Sequence, residues 1–460
     1  MNQDIAILGS LPLSRVVAWR HRRPISAGAF LAEAGALASA LPALGQPVNL
    51  CQDRYLFAVG LIAALLRGQM TLMPPNVLPD TLRQVRQPGG DPYALVDDPA
   101  LDSGGLPVIV VARQTGLSPI KEAQRLAFDT QAVCLLTSGS TGLPLPHPKR
   151  WGPLQVNIRA EAERLADLLQ RPSIQGLNLV ATVPAQHSYG FESSVLLALL
   201  GGAAFDAGRP FYPADIADAL ERLPRPRGLV TTPFHLKTLL LAGVALPAVD
   251  LVLSATAPLS PQLAAQAETA FGARLVEIYG CTEAGQIAAR RTTAGDVWTT
   301  LGDLRLQARA TPDGEQFIVS GGHVFEPTPL ADRLELLAER QFRLLGRDND
   351  IIHVAGKRCS LAHLNFHLNS IEGIEDGAFW LPDDVVEGVV RPLAFVVAPG
   401  LSARQIIDAL RPRFEPAFVP RRVLHVPVLP REATGKLTAQ ALRRFALATL
   451  AQQQRDGGPG

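Results

Sequence analysis

The sequence predicts an α/β protein: a large N-terminal layered α/β domain with a β appendage, then a small C-terminal α+β lid domain. Three observations lead there. Segments with apolar residues at helical spacing alternate with short, wholly apolar runs of strand type, the pattern of buried parallel strands covered by helices. At 460 residues the chain exceeds what one ordinary core supports. The composition also changes near Gly346, and the stretch beyond it carries its own α+β pattern. The division expected is a core over 1–345, a hinge at 346–349 and a lid over 350–460.

Helical spacing falls at Gly28–Leu41, Arg54–Leu66, Val156–Leu169, Phe191–Leu200, Ala214–Leu223 and Pro261–Phe271. Between these lie the strand-type runs VIVV (108–111), VCLL (133–136), LVATV (179–183), GLVTT (228–232), LVLSA (251–255) and LVEIY (275–279). Thr299–Leu306 and Glu315–Ser320 read as the antiparallel appendage. Beyond Gly346 the pattern predicts helices at 361–371 and 402–413 and strands near 377–381 and 393–398. The tail QQQRDGGPG reads as disordered.

Bulk properties exclude several classes. With 43 Lys+Arg against 42 Asp+Glu, nothing favours wholesale attraction to nucleic acid or membrane. Cys51, Cys134, Cys281 and Cys359 lie far apart without C-x-x-C spacing, which suits a reducing cytoplasm and argues against a zinc site. The N-terminus lacks the pattern of an export signal, and the run Tyr55–Leu66 is too short to span a bilayer. A cytoplasmic protein is expected.

The stretch LLTSGSTGLPLPHPKRW (135–151) packs hydroxyls and glycines behind a strand. Glycines let successive N–H groups turn toward one centre, and hydroxyls add donors for phosphate oxygens. A Ser/Gly surface turn would look the same when taken alone. Further along stand VPAQHSYGFE (183–192), LVLSATAPLS (251–260), YGCTEAG (279–285), ADRLELLAERQFRLLGR (331–347), GRDNDIIHVAGKR (346–358) and LPREATGKLTAQAL (429–442).

In this order the motifs resemble those of adenylate-forming enzymes, the superfamily of acyl-CoA synthetases, aryl-acid ligases and peptide-synthetase adenylation domains. The resemblance runs from about Arg54 to Leu442. It implies that Thr137, Ser138, Gly139, Ser140, Thr141 and Gly142 hold the ATP phosphates. The usual lysine is displaced here to Lys149 by Leu145-Pro146-His147-Pro148. His187, with Tyr189, would line the acid pocket, and Gly190 would permit close approach. Ser254, Ala255 and Thr256 would edge the adenine, with Tyr279 and Gly280 packing on it. Thr282 would bond near the α-phosphate, and Glu283 would hold Mg2+.

Two aspartates compete for the ribose. Asp303 sits in a T-x-G-D-like turn, but Asp332 stands fifteen residues before Arg347, the separation the family uses, so Asp332 is assigned. Arg347 would bind ribose and phosphate, Asn349 would serve as the hinge and Lys436 as the catalytic lysine on the lid. The function implied is ATP-dependent activation of a carboxylic acid to an acyl-adenylate, then transfer to the pantetheine thiol of an acyl carrier protein or CoA. The short stand-alone form is similar to the carrier-protein AMP-ligases of aryl polyene and xanthomonadin-type pathways, which suggests an aromatic, hydroxybenzoate-like acid. A fatty acyl-CoA or acyl-ACP ligase and a catalytically inactive adenylate-binding protein remain as alternatives. An acyl-AMP reductase does not fit the length, and no nicotinamide-binding G-x-G-x-x-G follows.

Overall fold

A computed structural model describes residues 4–74, 76, 81–82, 85, 91–138, 144–311, 314–347, 351–354, 357–382, 392–432 and 435–456. Its centre is an eleven-stranded sheet. The strands Val16–Arg20, Ala204–Asp206, Asn178–Ala181, Arg227–Thr231, Leu251–Ser254 and Arg274–Cys281 lie side by side and parallel in that spatial order. Antiparallel strands extend both edges, Arg23–Ser26 at one and Gly285–Arg290, Val297–Thr300, Gln341–Arg347 and Asp332–Ala338 at the other. The central parallel members Asn178–Ala181, Arg227–Thr231 and Leu251–Ser254 are buried at every position because both their faces are covered, so their apolar residues read as short continuous runs rather than alternating ones.

A second, six-stranded sheet holds Gln46–Asn49, Thr71–Met73, Pro92–Val96, Val108–Val110, Gln131–Ser138 and Pro144–Arg150. Helix Arg54–Leu66 is buried along nearly its whole length, and Asp53 caps it by accepting from the Tyr55 and Leu56 amides. An all-round apolar helix is stable in that place because no face of it meets water.

The appendage is three antiparallel strands, Arg305–Thr311, Gly314–Gly321 and Val324–Leu330. The tract expected at Thr299–Leu306 therefore divides: Val297–Thr300 belongs to the central sheet and Arg305–Thr311 to the appendage. Gly302, at φ +50°, lies between them. The helix expected from Val156 starts earlier, at Trp151, because the strand Pro144–Arg150 runs directly into it.

Toward the C-terminus, Asp376–Trp380, Leu393–Val397 and Arg422–His425 form a three-stranded sheet with its own apolar clusters around Phe379 and Phe395. The expectation of a disordered tail is corrected as far as Asp456. Helix Ala439–Asp456 includes Gln452, Gln453 and Gln454 and is anchored by Ala446 in the cluster around Phe395, while 457–460 lie outside the described residues. Among the described residues no helix is long and apolar enough to cross a membrane.

The turn after strand Asn178–Ala181 shows how tightly the chain is drawn where that strand ends. A Cβ on Gly190 would lie 2.0 Å from the Pro184 carbonyl oxygen, a backbone atom that cannot swing aside. Gly190→Ala is expected to cost about 3 kcal/mol or more by overpacking, read as a lower urea midpoint; an unchanged midpoint would refute the packing described here.

Candidate active site

Four neighbouring parallel strands end on one side of the central sheet at Ala181, Thr231, Ser254 and Cys281. Ligands of open α/β sheets bind at the carboxyl ends of the strands. Each of the four is followed here by a segment that carries expected site residues or receives them.

After Ala181 the chain turns through His187 into a helix that begins at Ser188 and passes through a π segment, Phe191–Leu196. Such segments often mark functional sites. The His187 imidazole is half-buried, and its pKa is pushed down to about 4, first by burial and then by the positive charges of Arg209 and Lys436. It is therefore neutral near pH 7. After Thr231, Thr232 caps helix Pro233–Leu241, and the Thr182 hydroxyl bonds both the Thr231 hydroxyl at 3.0 Å and His235 Nδ1 at 2.9 Å.

After Ser254 the backbone is unusual. The Ser254 hydroxyl is buried without a hydrogen-bond partner among the described residues, Ala255 is buried, and exposed Thr256 has φ +82°. A β-branched residue held there costs of order 1–3 kcal/mol, strain of a kind that concentrates at functional sites.

Strand Arg274–Cys281 carries Tyr279, whose ring packs against Trp298 and Phe342 and whose hydroxyl donates to Asp332 at 2.8 Å. Asp332 and Arg347 are direct cross-strand partners, which gives the fifteen-residue spacing a physical basis: it is the span of one antiparallel hairpin. Asp332 is buried and Asp303 exposed. The turn Cys281–Gly285 is narrow, for a Cβ on Gly280 would stand 2.3 Å from the Gly285 carbonyl oxygen. Thr282 is half-buried and Glu283 exposed on that turn.

Lys149 reaches the same turn. The hairpin of Gln131–Ser138 and Pro144–Arg150 positions Lys149 to donate to the Glu283 carbonyl at 2.6 Å, while the Thr137 hydroxyl meets His147 Nε2 at 3.0 Å. Of the expected phosphate-loop residues, Gly139, Ser140, Thr141 and Gly142 lie outside the described residues, and Ser138 is described by its backbone alone. Asn349 also lies outside them, and of Arg347 only the backbone is described.

Lys436 comes from the far end of the chain. Gly435, at φ +77°, sits so close to helix Pro233–Leu241 that a Cβ would lie 2.9 Å from Phe234 Cβ and 3.2 Å from the Thr232 hydroxyl. Arg431 holds the turn by donating to the Gly435 carbonyl at 2.9 Å and to both Asp376 carboxylate oxygens at 2.6–2.7 Å, with its guanidinium over the Phe234 ring.

Sequence reasoning missed two buried acids. Glu161 and Glu192 are almost wholly enclosed. Glu161 accepts from Ser193 Oγ at 2.8 Å, and Glu192 accepts from Ser188 and Asn157 at 2.8 Å. Burial pushes both carboxyls up, Glu161 to about 8, while the Lys149 charge opposes the rise at Glu192. The signal was present: Glu161 falls on the stripe Trp151, Leu154, Ile158, Leu165 that helical spacing buries.

The donor set suits a magnesium nucleotide. Among the described residues no three His, Cys, Asp or Glu side chains cluster, so there is no all-protein metal cage there. One exposed carboxylate at Glu283, completed by phosphate oxygens and water, is the arrangement Mg2+ takes. Asp332 at a strand end, beside the Tyr279 aromatic group, suits a ribose and its base.

Comparison with known proteins gives the family and the fold. Residues 80–304 match the family described as AMP-binding enzyme. The 4-coumarate–CoA ligase of Rhodobacter capsulatus is 33% identical over 298 residues, 65% of this chain and 71% of that one. Its counterpart in Halorhodospira halophila is 32% identical over 329 residues, covering 67% and 75%. The crystal structure of ATP-bound MatB from Rhodopseudomonas palustris superposes with a TM-score of 0.79 at 18% identity, over 96% of this chain and 99% of that one.

Glu161 supplies a pH test. Its folded pKa of about 8 lies above that of an unfolded glutamate, so its contribution to stability is complete below about pH 4.5 and is lost as pH rises through about 8. Glu161→Gln is expected to flatten the fall of melting temperature across that window; a pH profile parallel to wild type would contradict the buried neutral acid.

Proposed function

The chain belongs to the AMP-binding enzyme family, and we propose that it activates an aromatic carboxylic acid with ATP and transfers the acyl group to a pantetheine thiol. The observation that carries this reading is the seating of the Gly435–Lys436 turn on Thr232 and Phe234, which brings the lysine charge to bear on His187 at the strand ends.

In the first step a carboxylate oxygen attacks the α-phosphorus of ATP, the bond to the β-phosphate bridge breaks, and pyrophosphate leaves with the electron pair. Negative charge gathers between the acid and the phosphorus. A preorganised ammonium there stabilises the transition state more than the ground state. Lys436 has that role, with the carboxylate and the α-phosphate as its two contacts. Neutral His187 lines the acid's entry without adding a competing charge. Thr282 bonds near the α-phosphate, the 137–142 loop holds the departing pyrophosphate, and Arg347 and Asp332 hold the ribose. Ser254, Ala255, Thr256, Tyr279 and Gly280 border the base. Mg2+, when held by Glu283, offsets the phosphate charge.

In the second step the thiol sulfur attacks the acyl carbon, AMP leaves and a proton is released. The body spans 1–345 and the lid 350–460; turning about 346–349 withdraws Lys436 and admits the thiol. Among the described residues, the contacts that such a turn breaks include Arg431 on Phe234, Gly435 on Thr232 and Phe234, and Lys237 donating to the Asn369 carbonyl at 3.4 Å. The names of the two relatives support an aromatic acid and CoA as acceptor. A carrier protein presents the same thiol.

Lys436→Ala is expected to lower acid-dependent ATP–pyrophosphate exchange about 100-fold or more, as loss of one preorganised donor does. Thioester formation from supplied acyl-adenylate should fall far less. Exchange at the wild-type rate in the variant would defeat the assignment.

A further inference from the structure

An open basin of about 1000 Å3 lies on the side of the central sheet opposite the candidate active site. It sits where the parallel strands begin: Arg227–Thr231, Leu251–Ser254 and Arg274–Cys281 start beside it and end at the site. The eight-residue strand Arg274–Cys281 sets the two about 25 Å apart. The charged lining of the basin is Arg171, Arg225, Arg274 and Arg291 against Asp250 and Glu268. Four cations thus face two carboxylates, in a chain whose overall charge is only +1.

The two carboxylates are already satisfied. Asp250 accepts from Arg225 Nη2 at 2.8 Å, Arg225 Nε at 3.2 Å and the Arg227 amide at 2.9 Å. Glu268 accepts a bidentate pair from Arg291, both bonds at 2.8 Å, and further bonds from the Leu275 amide at 2.9 Å and the Thr293 hydroxyl at 3.0 Å. Burial pushes both carboxyls up, but these bonds outweigh it and hold them below the usual carboxylate range, so both are ionised near pH 7. The guanidiniums have donors to spare. Each carries five N–H groups, and the bonds of Arg225, Arg274 and Arg291 engage two nitrogens apiece, those of Arg274 going to the Leu168 carbonyl and Gln170 Oε1. Half-buried Arg171 makes no side-chain hydrogen bond or ion pair among the described residues; its charge only helps to hold Asp250 ionised.

We propose that this basin is a second binding site, for a small phosphate or carboxylate compound with two or more negative charges, and that Arg171 is its principal contact. The excess of two positive charges sets the charge of the ligand, and the unused N–H donors set its chemistry, since a planar guanidinium pairs with oxyanions through two parallel bonds. A neutral molecule would leave that excess uncompensated. Arg225, Arg274 and Arg291 already have structural work: they tie the starts of the strands to the neighbouring helices and turns. Arg171 has none, although its side chain is half-buried at the basin wall. The carboxyl ends of the strands account for the acid and the nucleotide, so a ligand at the opposite ends occupies a separate site.

The test is calorimetric titration of the full chain with pyrophosphate and with citrate at fixed ionic strength, nitrate serving as the singly charged control. At least one of the two probes is expected to bind, and Arg171→Gln should weaken it about 10-fold, the usual loss for one charge-assisted hydrogen bond. Thr269→Glu, which sets a carboxylate on the exposed wall of the basin, should weaken it independently. Lys436→Ala, at the other end of the strands, should leave it unchanged. Tighter pyrophosphate assigns phosphate compounds and tighter citrate assigns carboxylates; either sustains the site. Binding that falls in Lys436→Ala but not in the two basin variants would place the anion in the nucleotide pocket and overturn the inference. So would nitrate binding as tightly as the probes, or no binding by either probe. Titration needs no turnover, so its outcome is independent of the proposed ligase activity.

Discussion

Arg431 is the side chain on which the arrangement of the site turns. Its guanidinium is shared among the Asp376 carboxylate, the Gly435 carbonyl and the face of Phe234. A planar, always-charged fork can satisfy a bidentate acid and a carbonyl while stacking on an aromatic ring; a lysine could not. The bonds to Asp376 and Gly435 stay within the C-terminal segment and shape the turn that carries Lys436. The stacking contact with Phe234 reaches the body. One residue thus builds the turn firmly and docks it on the body through a single stacking contact, which suits the two-step role proposed for Lys436.

The body meets that turn with groups whose charges are set by burial. His187, His235 and His323 are all pushed down to about 4, burial being the first cause in each, so the imidazoles around the site are neutral near pH 7. Glu161 is neutral for the same reason in the opposite sense, while Glu192 has the Lys149 ammonium near enough to offset its rise. Lys149 thereby joins two regions: it bonds the backbone of the Glu283 turn, and its charge acts on the buried Glu192 carboxyl. Strand Pro144–Arg150 pairs in register with Gln131–Ser138, and that hairpin brings the Lys149 ammonium to the Glu283 turn.

Much of this was legible because local patterning and tertiary environment agree. Arg54–Leu66 and Pro261–Phe271 stand where their apolar spacing and caps place them, and the parallel strands coincide with apolar runs since both faces are covered. Other elements were not legible. Thr71–Met73 is too short to show a period and becomes a strand only between Gln46–Asn49 and Gln131–Ser138. Helix Ala439–Asp456 ends in glutamines and carries its apolar contacts sparsely, so its order comes from docking on the C-terminal sheet.

For the site, the sequence alone set the order of motifs from Thr137 to Lys436, and its resemblance to adenylate-forming enzymes led to the expectation of Asp332 rather than Asp303 at the ribose. Tertiary structure decided what those groups meet. Asp332 pairs with Arg347 across a hairpin, Lys149 reaches the Glu283 turn, and Ser193 links Glu161 to Gln286 across three separate elements. None of these could be read from the chain, since each depends on strand register and helix packing that bring together residues distant in sequence. Burial, which sets their protonation and the cost of leaving them unpaired, exists only once the fold has formed.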